Sequence, residues 1–440
     1  MLARFCRWRA LQLLGALGGV GVFGAACTPT TSLRAGSGSA GSDMALIGTA
    51  GESAATLTEG GGALGSSEED LSALLKGVPA IAPMLAKAAS YRLQVLISVP
   101  RDGTTPWLKR SGYRVDAEYF FPASAIKLPM SIAALEKLAD IRKGSGASQV
   151  GIETPLRIFS TPGGRYEDRD ISNVQGATIT IGHEVRKSLV VSSNEAFNRL
   201  FDFVGYDEVN QRMVRDGFDS VRFRHTLGFA ATDPRRSSRI QFLLPGRTPM
   251  ELPERPSAET LAASSVAGLF VGDAHYDGNG RLVNQPMSFE EKNRVSLRDL
   301  QDMLISVMRP ELLSSRQVQL EPYEREFLVR TLGTPPSESK NPVYSAKEQP
   351  DELHRPLLIA VRKALPSHRI RSYGKGGQAY GFVVQNSYLV NETSKRSVFV
   401  AATLHVNEDG TLNDDQYEYS EVAKPFIDAL GELLAKHYLN

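Results

Sequence analysis

Phe121-Pro-Ala-Ser-Ala-Ile-Lys127, FPASAIK, runs directly into the apolar, Ala- and Leu-rich segment LPMSIAALEKLADI. A serine and a lysine three residues apart at the mouth of a helix suit a nucleophile and its base. They suit equally a helix cap followed by a solvated lysine. Ser-x-x-Lys recurs at Ser337–Lys340 in a Pro-rich stretch and at Ser372–Lys375 in a Gly-rich one, so spacing alone does not choose. Geometry does. On a helix, residues i and i+3 share a face, and Lys Nζ reaches Ser Oγ. Ser372 and Lys375 lie in an extended run, where i and i+3 point to opposite faces, and Ser337 follows Pro335 and Pro336. Ser124 alone opens a helical pattern, and Pro122 suits the entry of a helix. A helix N-terminus also offers backbone N–H groups to a developing oxyanion.

Outward from this stretch, residues 92–99 (RLQVLISV) and 113–119 read as strands and residues 71–89 as helical. After Ser124 the pattern turns helical, with apolar residues at three- and four-residue spacing over 132–142, 181–190, 195–203 and 296–308. Strand-like sequence returns at 381–389 and 398–406, and 420–438 reads as a closing amphipathic helix. The two ends of this pattern therefore share one sheet. The expected fold is α/β (α+β): an antiparallel sheet built from about 68–123 and 366–440 and flanked by helices, with an inserted all-helical subdomain over about 124–365. Two Pro-rich connections, 233–293 and 334–356, interrupt it. Within the first, VGDAHYDGNGRLVNQ reads as a hairpin around residues 277–280.

The chain has 440 residues, of which 42 % are hydrophobic and 22 % charged, in the range of a soluble globular protein. A formal net charge of +1 gives no basic face for a nucleic-acid partner. Arg4, Arg7 and Arg9 precede an apolar stretch that closes on Gly24-Ala-Ala-Cys27, the layout of an export signal. Residues 1–27 resemble a lipoprotein signal, in which Cys27 carries the lipid and makes the only membrane contact; Gly24 stands where such signals usually place Leu. Ordinary secretion with cleavage after Ala26 is the alternative. Residues 28–67 are rich in Gly, Ser, Ala and Thr and read as a flexible tether. The protein is expected to be exported, periplasmic or at the cell surface.

Other chemistries fail on their motifs. There is no Gly-x-Ser-x-Gly elbow and no phosphate loop. Asp273-x-His275-x-Asp277 reads as the polar face of a hairpin rather than a metal site, and no metal or cofactor is expected. Gly374-x-Gly376-x-x-Ala379 leads into strand-like sequence where a dinucleotide turn demands a helix.

Two further segments matter beside FPASAIK. Val191-Ser-Ser-Asn-Glu195 contains Ser192 and Glu195 in capping-box spacing ahead of an apolar helix. Gly374-Lys-Gly-Gly377 reads as a tight turn with an exposed lysine. Taken in order, Ser-x-x-Lys, Ser-x-Asn and Lys-x-Gly resemble the serine β-lactamases and penicillin-binding proteins, with the element order closest to class A enzymes. ATITIGHEVRKSLVVSSNEAFNRLFDFVG, ALPSHRIRSYGKGG and IDALGELLAKHYLN extend the resemblance over most of 68–440.

The resemblance implies that Ser124 is the acylated nucleophile, Lys127 its base or proton relay, and Ser192 a proton shuttle to the leaving group. It implies that Asn194 holds the substrate's amide, that Lys375 favours an anionic substrate, and that Gly377 and Gln378 line the substrate, with the N–H groups of Ser124 and Gln378 forming the oxyanion hole. For Lys127 to accept a proton near neutrality its pKa has to fall by about 3, roughly 4 kcal/mol; burial and Lys375 both push that way. The chain departs from the family at Ser193, in place of an acid, and at Gly376, in place of a hydroxyl residue. Glu251, Glu254, Glu259, Glu290 and Glu291 follow the Ser-x-Asn helix, but none stands in the Glu-x-x-x-Asn setting that activates the deacylating water in class A enzymes; Glu290-x-x-Asn293 is one residue short. The activities implied are hydrolysis of a β-lactam or related amide, or D-Ala-D-Ala peptidase action on peptidoglycan. An inactive cell-wall-binding scaffold is the non-enzyme alternative.

Overall fold

The computed structural model describes residues 68–144, 147–159, 179–228, 234–258, 261–262 and 266–440. The export signal, the tether and Cys27 lie outside the described residues, as does Glu259. The chain from Ser66 to Asn440 forms one unit.

Six strands and six helices position the site. The strands are Gln94–Arg101 (β1), Trp107–Tyr113 (β2), Ile370–Gly374 (β3), Gly377–Ala379 (β4), Phe382–Asn391 (β5) and Ser397–His405 (β6). The helices are Lys127–Lys143 (α1), Ile181–Val190 (α2), Asn194–Val204 (α3), Leu297–Met308 (α4), Pro356–Ala364 (α5) and Lys424–Leu434 (α6). The sheet runs β2, β1, β6, β5, β3, with β4 also paired to β5 and the short strand Glu69–Asp70 added in parallel at the edge of β2. Its other pairings are antiparallel. β1 and β6 join the two ends of the fold, Val95 standing opposite Ala402.

The period-2 alternation of these strands gives the sheet two apolar faces. Val95, Ile97, Val383, Leu389, Val400 and Ala402 pack with Leu357, Val361, Phe426 and Leu430 of α5 and α6. Leu96, Phe382, Val384, Tyr388, Phe399 and Ala401 face the other core, with α1 and α4. β2 ends where residues 113–119 were expected to run on as a strand, because Arg114 and Asp116 take φ of 52° and 59° and turn the chain out of the ladder.

α1 is the central helix, buried on every side from Lys127 through Ala139. Its polar residues are accordingly paired: Glu136 with Arg215 at 2.6 Å, and Lys137 with Glu208 at 2.5 Å. Around α1 the inserted region is helical, as the periodicity implies, but it also carries short strands. Leu156–Phe159, Arg239–Phe242 and Met250–Leu252 form a three-stranded antiparallel sheet, so the insertion is not all-helical. The hairpin around Asp277 is present, Ala274–Tyr276 pairing with Leu282–Val283. Asp277 closes it by accepting the N–H groups of Asn279 and Arg281, and His275 faces the Gln285 carbonyl. Among the described residues no group of three or more His, Cys, Asp or Glu side chains converges as a metal site, and no helix is long and apolar enough to cross a membrane.

Candidate active site

Ser124 sits in a 3-10 turn, Ala123–Ile126, that leads into α1 at Lys127. With three residues per turn, positions i and i+3 eclipse, so Lys127 stands directly over Ser124 rather than merely on its face. Ala123 enters the turn at φ 47°, a strained conformation for a residue with a Cβ. Lys127 Nζ lies 2.8 Å from Ser124 Oγ, 2.6 Å from the Ser192 carbonyl oxygen, 2.7 Å from Asn194 Oδ1 and 3.2 Å from Ser192 Oγ. The lysine is fully buried.

This set of neighbours fits a neutral amine. A carbonyl and an amide oxygen can only accept, so they take the two N–H donors of an NH2 group. The lone pair is then left for the Ser124 hydroxyl, which can donate. No carboxylate hydrogen-bonds to Ser124, Lys127 or Ser192 among the described residues. Burial, and secondly the nearby Lys375, hold the Lys127 amine well below the usual lysine range.

Ser192 and Asn194 reach Lys127 from the junction of α2 and α3. Ser192 adopts φ 61°, which turns its carbonyl and hydroxyl together toward the amine. The capping box expected of Ser192 and Glu195 does not form. Ser193 is the N-cap of α3, its Oγ accepting the Ala196 N–H at 3.2 Å, while Glu195 faces Arg199 at 3.6 Å. The serine in place of the family's acid is thus the capping residue, and Ser192 is left to the site.

Lys375 follows β3 and is buried rather than exposed on a turn, with Nζ donating to the Gly376 carbonyl at 2.8 Å. Burial first, and Arg355 second, lower its pKa to about 7. Arg355 was not legible as part of the site. It lies at the end of a Pro-rich connection with no motif around it, yet its guanidinium is buried and donates to the Gly374 carbonyl at 2.5 Å and the Thr334 carbonyl at 3.3 Å.

β4 completes the site. A Cβ on Gly377 would stand 2.3 Å from the Ser124 nitrogen and 2.8 Å from the Ala125 nitrogen, so only glycine lets this strand approach the mouth of the 3-10 turn. Gln378 follows on the same strand, exposed, opposite Val383 of β5. Phe121 backs the turn, packed on Tyr380 at 5.2 Å and parallel to the His225 ring at 6.4 Å.

The described glutamates considered for water activation are engaged elsewhere. Glu251 accepts from Gln241, Glu254 from Arg236, Glu290 from Ser288, and Glu291 from Arg224. Asn293 is a clamp on the loop before Thr226: its Oδ1 accepts the N–H groups of Arg224 and His225, and its Nδ2 donates to the His225 carbonyl.

Residues 108–320 match the model of the beta-lactamase enzyme family, a span that takes in Ser124, Lys127, Ser192 and Asn194 but ends before Lys375. Among solved structures it is similar to a mutant of PBP-A in an acyl-enzyme complex with penicillin G, at 13 % identity and TM-score 0.47, over 84 % of this chain and 97 % of that one. It is also similar to a class A beta-lactamase from Mycobacterium abscessus, at 14 % identity and TM-score 0.44, over 81 % and 97 %. A beta-lactamase from Burkholderia phymatum aligns at 16 % identity and TM-score 0.44, over 82 % and 98 %. No curated protein matches the chain.

Proposed function

We propose that this protein is an exported, class A β-lactamase-like serine hydrolase in which Ser124 is acylated by the carbonyl of a β-lactam or a related amide. The observation that carries the reading is the 2.8 Å approach of the buried Lys127 Nζ to Ser124 Oγ, with Ser192 and Asn194 gathered on the same amine. As Oγ attacks the carbonyl carbon, its proton passes to Lys127 Nζ. Ser192 Oγ, 3.2 Å from that nitrogen, is placed to relay the proton to the departing amide nitrogen as its bond to carbon breaks. The N–H groups of Ser124 and Gln378 hold the oxyanion, and Asn194 Nδ2, its oxygen taken by Lys127, is left to meet the substrate's amide. Lys375 draws an anionic substrate. Water then releases the acyl group. Export and a lipid on Cys27 belong to this reading, resting on the N-terminal sequence.

A second reading, a penicillin-binding D-Ala-D-Ala peptidase, is favoured by one observation: no carboxylate among the described residues bonds to the Ser124–Lys127–Ser192 cluster. The intact mass of the protein after addition of benzylpenicillin separates these readings, with Ser124→Ala as control. A transient adduct with turnover supports the β-lactamase, and a lasting one the peptidase. Unmodified wild-type protein leaves the non-catalytic scaffold.

A further inference from the structure

The peptide that joins Gly374 to Lys375 is held from both sides. Its N–H, on Lys375, donates to the Asn386 carbonyl of β5 at 3.1 Å. In a trans peptide the carbonyl points the opposite way, so that of Gly374 faces the outer edge of β3, where it accepts from Arg355 Nη1. A Cβ on Gly374 would stand 2.0 Å from the Asn386 carbonyl oxygen, so only glycine lets the chain pass β5 this closely. Arg355 is 6 % exposed, and its other bond is to the Thr334 carbonyl at 3.3 Å, while Nε has no partner. No carboxylate bonds to it among the described residues; Asp351, which acts on it through space, is bonded to Ser337. A guanidinium buried without an anion is costly to the fold. Two carbonyls can be tied by a neutral donor such as a glutamine amide, so tethering alone does not call for a charge.

Building on the proposed acylation of Ser124, we propose that Arg355 is a positioning residue for that reaction, holding the backbone of Lys375 through the Gly374 carbonyl and standing beside its amine as a permanent cation. Burial lowers the guanidinium to about 10, still above Lys375 at about 7, so Arg355 stays charged throughout the range in which Lys375 titrates. Lys127 of α1 and His354, at the end of the same connection, also feel Lys375, and burial drives both toward their neutral forms. Arg355 is then the fixed charge that Lys375 meets among the described residues, and it brings the loss of the Lys375 proton down toward neutrality. The residue acts on acylation through Lys375 and not by touching the acyl donor.

The test is the pH profile of Ser124 acylation by benzylpenicillin in the full chain, followed by intact mass. Its midpoint is assigned to Lys375 by the 13Cε resonance that lysine-labelled protein loses in Lys375→Met. Arg355→Gln keeps a donor and drops the charge; the midpoint is expected to rise by about one pH unit or more. Arg355→Met, which fills the buried space without a charge, should give the same rise and covers the case in which the glutamine variant folds poorly. Arg355→Lys restores a cation without the planar fork. Its midpoint should return to that of the wild type, while its fastest acylation stays below wild type because the Gly374 carbonyl is held less firmly. A wild-type midpoint in the uncharged variants, whatever their stability, overturns the assignment and leaves Arg355 a structural tie, as does a midpoint in Arg355→Lys raised as far as in Arg355→Gln. Wild-type protein that benzylpenicillin acylates at no pH overturns the acylation reading and this role with it.

Discussion

The Ser124 hydroxyl and the Lys127 amine meet at 2.8 Å across a change of helix type, the serine in a 3-10 turn and the lysine opening the α-helix. The eclipsed i, i+3 geometry of that turn holds the two atoms together without a bridging group. On the proposed reading, Lys127 is the base on which acylation depends. Lys127→Ala should leave Ser124 in place yet slow its acylation by benzylpenicillin by about a thousandfold, the middle of the range for losing a positioned base. Time-resolved intact mass measures this; acylation at the wild-type rate would remove Lys127 from the mechanism.

The pKa of Lys375 couples activity and stability in opposite directions. With its pKa lowered to about 7, Lys375 carries the charge that draws an anionic donor only below that pH. Acylation by benzylpenicillin should therefore decline as pH rises through about 7, and Lys375→Arg should move that decline to higher pH. Stability goes the other way. From about 7 up to the ordinary lysine value of 10.5, the unfolded chain holds a proton on Lys375 that the folded protein lacks. Folding is then favoured by about 1.4 kcal/mol per pH unit from this group. Urea unfolding at pH 7, 8 and 9 should show that increment in the wild type relative to Lys375→Met. Parallel pH dependence in the two proteins would mean that Lys375 keeps its proton when buried.

Much of the fold and the heart of the site are legible in the sequence because they are local. Alternation in RLQVLISV and in residues 381–389 marks strands that the structure contains, and Ser-x-x-Lys at a helix entry needs only three residues of spacing. What escapes the sequence depends on tertiary neighbours. Arg114 and Asp116 end β2 with positive φ values that neither residue type announces. Adjacent serines at 192 and 193 cannot be told apart as cap and site residue until the backbone at Ser192 is seen turned to φ 61°. Arg355 reaches the Gly374 carbonyl through tertiary packing and not through any motif.

The two serines should separate cleanly by mutation. Ser193→Ala removes the N-cap of α3 and is expected to lower stability by about 1 kcal/mol, seen as a lower urea midpoint. Ser192→Ala removes no cap hydrogen bond and should leave that midpoint nearly unchanged while slowing acylation, since the proton relay next to Lys127 is gone. The opposite pattern, a stability loss at 192 with an unaffected 193, would restore the capping box and take Ser192 out of the chemistry.

Gly377 tests whether β4 serves the oxyanion. Its missing Cβ is what allows the strand within reach of the Ser124 and Ala125 nitrogens, the hypothetical atom standing 2.3 Å and 2.8 Å from them. Both are backbone atoms at a strained turn, so neither can yield as a flexible side chain would. Gly377→Ala must push β4 outward, carrying the Gln378 N–H away from the carbonyl that Ser124 attacks. Loss of one oxyanion donor lowers such reactions by about a hundredfold to a thousandfold, and the acylation rate of Gly377→Ala should fall within that range. Because β4 is a three-residue edge strand paired in the sheet with β5, the displacement should cost little of the core. A thermal midpoint close to wild type combined with slow acylation is the expected pair of results, and fast acylation in a stable Gly377→Ala protein would place the oxyanion donors elsewhere.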